Sequence, residues 1–99
     1  MPTDLDGIVE SDGHFLVMEW KREGAAICQA QNRMLREMRL TGVFSDLIIW
    51  GNADKAPIAY RFDPEGERMD SEKRACDLEQ LRTLVSMWSE TFGKRRKAV

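Results

Sequence analysis

The sequence predicts a single small α/β domain: a mixed β-sheet with an N-terminal hairpin, a βαβ crossover and a long C-terminal helix. Three observations predict it. Two strand-like runs, DLDGIVE at 4–10 and FLVMEWK at 15–21, flank Asp12-Gly13, a dipeptide favoured in two-residue type I′ turns. A helical stripe over 25–40 then separates the second run from the apolar FSDLIIWG at 44–51, the pattern of two parallel strands joined by a crossover helix. A second long stripe occupies the C-terminal third.

Taking the elements in order, the Asp12-Gly13 turn pairs Ser11 with His14, so Glu10 faces Phe15, Ile8 faces Val17, Asp6 faces Glu19 and Asp4 faces Lys21. Alternation then puts Phe15, Val17, Glu19 and Lys21 on one face, and Leu16, Met18 and Trp20 on the other. In AAICQAQNRMLREMRL, residues 25–40, Ile27, Ala30, Met34, Leu35 and Met38 recur at helical spacing with Gln31 inside the stripe, and Gly42 is the stop. After the turn-rich 52–57, IAYRF at 58–62 alternates like an additional strand at a sheet edge. DPEGERMD, 63–70, reads as a loop. Ser71 then caps a helix running to about Phe92, with Gly93 as its stop and Ala75, Leu78, Leu81, Leu84, Val85, Trp88 and Phe92 as its buried stripe.

The 99 residues, 42% apolar and 32% charged, make one globular domain with room for one modest core. Its parts are a motif core at 4–51, a C-terminal strand and helix at 58–93, and a basic tail at 94–99. No apolar run approaches the ~20 residues of a membrane span, and MPTDLDG has no signal-peptide core, so the expected location is the cytoplasm. There Cys28 and Cys76 are expected as free thiols in helical patterns; with no CxxC and a single His14 they build no zinc site at the usual spacings. Fifteen basic against 17 acidic side chains argue against bulk coating of nucleic acid. Lys94, Arg95, Arg96 and Lys97 are a local exception, read either as a solubilising tail or as a phosphate-contacting one.

Glu19 and Lys21 decide the functional reading. An E-x-K triplet in a strand is by itself a common way to solvate one sheet face. Here the register sets Asp6 across from Glu19, and like charges directly opposed are destabilising unless the site is wet, protonated or holds a cation. Mg²⁺ needs only one or two protein carboxylates, the rest of its shell being water and phosphate oxygens. Lys21, one pair further on, brings a positive charge to the same spot.

With DGIVE at 6–10, FLVMEWK at 15–21, Gln31 on the following helix and an apolar strand after it, the chain resembles the PD-(D/E)XK nuclease superfamily, closest to its VRR-NUC and Holliday-junction-resolvase-like branches. The resemblance covers residues 4–51. It implies a restriction-endonuclease-like core and a Mg²⁺- or Mn²⁺-dependent DNA endonuclease or structure-specific nuclease hydrolysing phosphodiester bonds. Asp6 and Glu19 would be metal ligands, Lys21 the catalytic lysine and Gln31 the supporting residue. The sequence departs from that family in carrying Leu5 where the motif's proline stands, and in having only MPTDL before the motif. So small a version implies a homodimer or a protein partner, and it looks like proteins of bacteriophages and mobile elements. The alternative keeps the fold without the chemistry: an inactive nuclease-like phage protein that binds and modulates a host protein or nucleic-acid complex.

Other candidates have weaker claims. Asp4 rivals Asp6 as first ligand, and Gln29 competes with Gln31. Glu10 shares the parity of Asp6, with solvation or help to a second metal as its readings. His14 reads as an exposed turn residue, with a catalytic base as the alternative. Trp20 and Trp50 read as core aromatics on adjoining strands, with base stacking as the alternative, and Trp88 belongs to the last helix. Arg22 and Lys55 read as surface residues or phosphate contacts.

Overall fold

The computed structural model describes residues 6–54, 56–66 and 72–97, with side chains to residue 91. Among the described residues a five-stranded sheet lies between two helices in the order β1 (Gly7–Ser11), β2 (His14–Arg22), α1 (Gln29–Leu40), β3 (Phe44–Gly51), β4 (Pro57–Asp63), β5 (Arg74–Ala75) and α2 (Leu78–Lys97). The strands lie side by side in chain order, antiparallel except for the parallel β2–β3 pair that α1 connects. The predicted fold class is the observed one.

The hairpin forms as its turn residues dictate. Asp12 and Gly13 both take positive φ, 49° and 85°, and the ladder runs Ser11↔His14, Glu10↔Phe15 and Ile8↔Val17. Helix α1 starts four residues later than the periodicity suggests. Gly24 is left-handed at φ 80°, Ala25 N–H bonds back to Arg22, and Cys28 serves as N-cap, its sulfur accepting from Gln31 N–H. The expected stop holds: Gly42 has φ 87° and its N–H reaches Arg39 C=O.

Strand parity divides the core into two layers. Leu16, Leu47 and Ile49 pack with Leu81 and Trp88 of α2, while Val17, Ile48, Trp50 and Ala59 pack with Leu35 of α1. β3, the central strand, is buried from Ser45 to Gly51, which explains its nearly unbroken apolar run.

Several expectations need correction. The strand at 58–62 spans Pro57–Asp63 and is not at the edge, because Arg74–Ala75 pairs outside it. Ala75 therefore belongs to β5, and α2 begins at Leu78. Its cap is Asp77: Gln80 N–H donates to Asp77 Oδ1 at 2.8 Å and Asp77 N–H to Gln80 Oε1 at 2.9 Å, a reciprocal capping box. Ser71 lies outside the described residues. Gly93 does not stop the helix, which runs to Lys97. Glycine in a helix costs only about 1 kcal/mol. The expected basic tail at 94–99 is therefore helical at 94–97. Cys28 and Cys76 are free, but neither lies within a helix. Burial and the neighbouring Asp77 raise the Cys76 thiol above its ordinary pKa. Asp77→Ala is expected to destabilise the protein by about 1 kcal/mol, read by urea unfolding; an unchanged midpoint would mean that the box contributes nothing.

Candidate functional site

Of the predicted residues, Glu19 and Lys21 lie near the carboxyl end of β2, with Asp6 beside it. In open α/β sheets the carboxyl ends of parallel strands are where crevices form. Glu19, Lys21, Ile48 and Trp50 share the sheet face under α1, the face given by the hairpin register. The connection from β2 turns back over that face. Ala25 C=O accepts the Trp50 indole N–H at 2.7 Å and Ile27 packs on the same layer, which seats the first turn of α1, with Gln31, at that end of the sheet.

Lys21 Nζ lies 3.7 Å from Glu19 Oε1, both side chains largely buried. The other carboxylate oxygen, Glu19 Oε2, is buried with no hydrogen-bond partner, as is Gln31 Oε1 on a side chain only 2% exposed. A buried acceptor without a donor costs about 1–3 kcal/mol, so each is a feature to be explained, as is Asp46 Oδ1, which is likewise buried without a hydrogen-bond partner.

Asp6 stands differently from the expectation. The regular ladder ends at Gly7↔Met18, one pair short of Asp6 and Glu19, and the chain bends at Asp6. Its N–H reaches Met18 C=O at 3.1 Å, and its Oδ2 accepts the Trp20 N–H at 2.6 Å. The carboxylate therefore extends the strand edge with its side chain. It lines a cleft of about 500 Å³ together with Trp20, Lys21, Arg22, Gly51 and Asn52. Lys21 thus joins the two parts of the site, contacting Glu19 on one side and lining the cleft on the other. Asp4 and Lys55, and the side chains of Lys94, Arg95, Arg96 and Lys97, lie outside the described residues. Gln29 and Glu10 are exposed, and Glu10 is engaged by Gly13 N–H at the turn.

Among the described residues no three His, Cys, Asp or Glu side chains are grouped to hold a metal. The donors present, the unpartnered Glu19 and Gln31 oxygens and the Asp6 carboxylate at the cleft wall, are hard oxygens. Their chemistry fits a Mg²⁺-type cation that keeps most of its shell as water and substrate oxygen.

Two residues read as bland by sequence are not. His14 is only 12% exposed and pairs with Glu65 at 2.8 Å, so it is not an open turn residue. Trp20 is 40% exposed, whereas Trp50 is in the core, so only one of the two is a core aromatic.

The sequence reading missed a second cluster altogether. Asn32, Arg33, Arg36, Arg39 and Arg61 line a pocket of about 320 Å³ between α1 and β4. Beneath it Arg39 pairs with the buried Asp46, and Arg61 Nε lies 3.1 Å from Asp63 Oδ2 while its Nη2 donates to Asn32. Burial, partly countered by the Arg39 guanidinium, raises the Asp46 carboxyl above the ordinary aspartate range. The available signal was an aspartate set inside the apolar strand FSDLIIWG, seven residues after Arg39. Comparison with protein-family models, with curated proteins and with solved structures returned no match to this chain.

Proposed function

We propose that the protein is a Mg²⁺- or Mn²⁺-dependent nuclease acting on DNA phosphodiester bonds in the cytoplasm, with Glu19, Lys21, Gln31 and Asp6 as its working residues. The observation that carries this reading is the buried Glu19 carboxylate, one oxygen 3.7 Å from the Lys21 ammonium and the other without a partner, next to a cleft that Lys21 and Asp6 line. A bound divalent cation would supply charge neutralisation and water activation. Glu19 and Asp6 would hold it, with the Gln31 amide oxygen supporting the site. Lys21 supplies a fixed positive charge where negative charge accumulates on the phosphoryl group, an arrangement that acts on the transition state rather than on ground-state binding. Arg33 and Arg36, which line the α1–β4 pocket above the paired Arg39 and Arg61, supply phosphate-binding chemistry away from the reacting bond.

The test is thermal unfolding with and without Mg²⁺ or Mn²⁺. A ligand that binds only the native state raises the midpoint once its concentration passes Kd. A rise in the wild type that is absent in Glu19→Gln, with cleavage of branched, single-stranded or duplex DNA under the same metal, is the expected result. No cleavage of any of these by the folded wild type would overturn the proposal.

A further inference from the structure

We infer that the cleft at the ends of β2 and β3 is a nucleotide-stacking site in which Trp20 is the platform for one unpaired base. The inference rests on the nuclease reading and names its substrate class: single-stranded, frayed or branched nucleic acid.

The indole is both exposed and seated. Its ring lies over Gly51 so closely that a Cβ on residue 51 would come within 2.6 Å of Cζ3 and 3.0 Å of Cε3. Only glycine leaves room for this. The backbone beneath the indole is fixed from the other side by the Asp6 carboxylate on Trp20 N–H. An aromatic surface held in this way loses little freedom when a ring stacks on it. Lys21, whose ammonium lies 3.7 Å from Glu19, and the exposed Arg22 line the same cleft, so it combines an aromatic side chain with basic ones, which matches a ligand made of an aromatic ring and a phosphate. Asn52 completes the wall. Its amide oxygen is committed to the N–H groups of Asp54 and Ala56, which leaves its NH₂ as the group it can offer a base edge. The volume, about 500 Å³, is that of a small-molecule site. In an intact duplex every base is already stacked, so a base must be unpaired to reach Trp20.

The experiment is a titration of the full chain, in metal chelator so that nothing is cleaved, with a single-stranded oligonucleotide, a blunt duplex of the same sequence and a mononucleotide. Tryptophan emission and the anisotropy of labelled DNA are both read. Trp50 and Trp88 are only 4% and 3% exposed, so quenching reports Trp20. The single strand is expected to quench strongly and the duplex weakly. Trp20→Leu should abolish the quenching and weaken single-strand binding about 5- to 100-fold, Trp20→Phe should restore most of the binding, and Gly51→Ala should weaken it while keeping the indole. A mononucleotide that quenches as well as the oligonucleotide at equal concentration would make a free nucleotide the ligand of the same site. Quenching that persists in Trp20→Leu, or single-strand binding unchanged by it, overturns the inference. Quenching without cleavage in Mg²⁺ would remove the nuclease reading and keep the stacking site; cleavage without quenching would do the reverse.

Discussion

Replacing Arg39 with alanine is expected to destabilise the protein by about 3–5 kcal/mol at neutral pH, the usual consequence of leaving one member of a buried ion pair alone. Arg39 is 4% exposed and Asp46 2% exposed, and the guanidinium is the partner that offsets the burial of the carboxylate. For a domain of this size the loss lowers the thermal midpoint by more than about 10 °C. The sign of its pH dependence follows from Asp46, whose carboxyl is already raised by burial and rises further once the Arg39 charge and hydrogen bond are gone. The folded variant then holds its proton at pH values where the unfolded chain has released it. Stability therefore falls as pH increases through the window above the ordinary aspartate value of 3.8, and the deficit shrinks on acidification. Adding Asp46→Asn to Arg39→Ala removes the stranded charge, and should recover part of the stability and flatten this profile. Urea unfolding across pH checks both. A deficit below about 1 kcal/mol, or one that grows in acid, would mean that the pair does not hold α1 to β3.

The same pair marks the limit of what could be read from the sequence. Turn chemistry and parity are local rules with few competitors. Asp12-Gly13 was therefore enough to place Ile8 against Val17 and to put Glu19 and Lys21 on one face. Gly42 as a stop and β3 from Phe44 to Gly51 were equally legible. Arg39 was not, because an arginine on a helix is normally solvated, and the buried row Gln31, Leu35 and Arg39 is two-thirds polar. The start of α2 was misplaced because Ser71 is as good a cap as Asp77 by residue type. The Asp-x-x-Gln spacing was the better signal, since it satisfies two backbone donors at once. Trp20 was misjudged for a different reason. Parity puts it on the core face, but parity does not say where the covering helix ends, and Leu81 and Trp88 of α2 pack with Leu16, Leu47 and Ile49. The bend at Asp6 also escaped a register argument, which assumes a ladder that stays regular to its last residue.

If Lys21 acts on the reacting phosphoryl group, Lys21→Ala should lower kcat by about 10²–10³-fold, the range for losing one preorganised charge or donor at a developing negative charge, with KM changed far less. Glu19→Gln should go further and reduce metal-dependent cleavage to background, since it removes the carboxylate charge while keeping the shape of the side chain. The loss in Glu19→Gln should not come from unfolding, since the buried charge goes with it, whereas Lys21→Ala leaves the buried Glu19 carboxylate alone and should lower stability as well as activity. Lys21 lines the cleft and Glu19 carries an oxygen without a partner, in contrast to the hydrogen-bonded Trp88 and Ser45 in the opposite layer. Lys21→Arg separates charge from geometry: a planar fork on a different stem keeps the positive charge near Glu19 but not its position, and activity restored only in part would assign the role to a point charge at the Nζ site. Single-turnover cleavage and unfolding midpoints, measured on the same preparations, decide the matter. Wild-type cleavage that survives both substitutions would take the chemistry away from this end of the sheet. Glu19→Gln melting well below the wild type would make Glu19 a support of the fold instead.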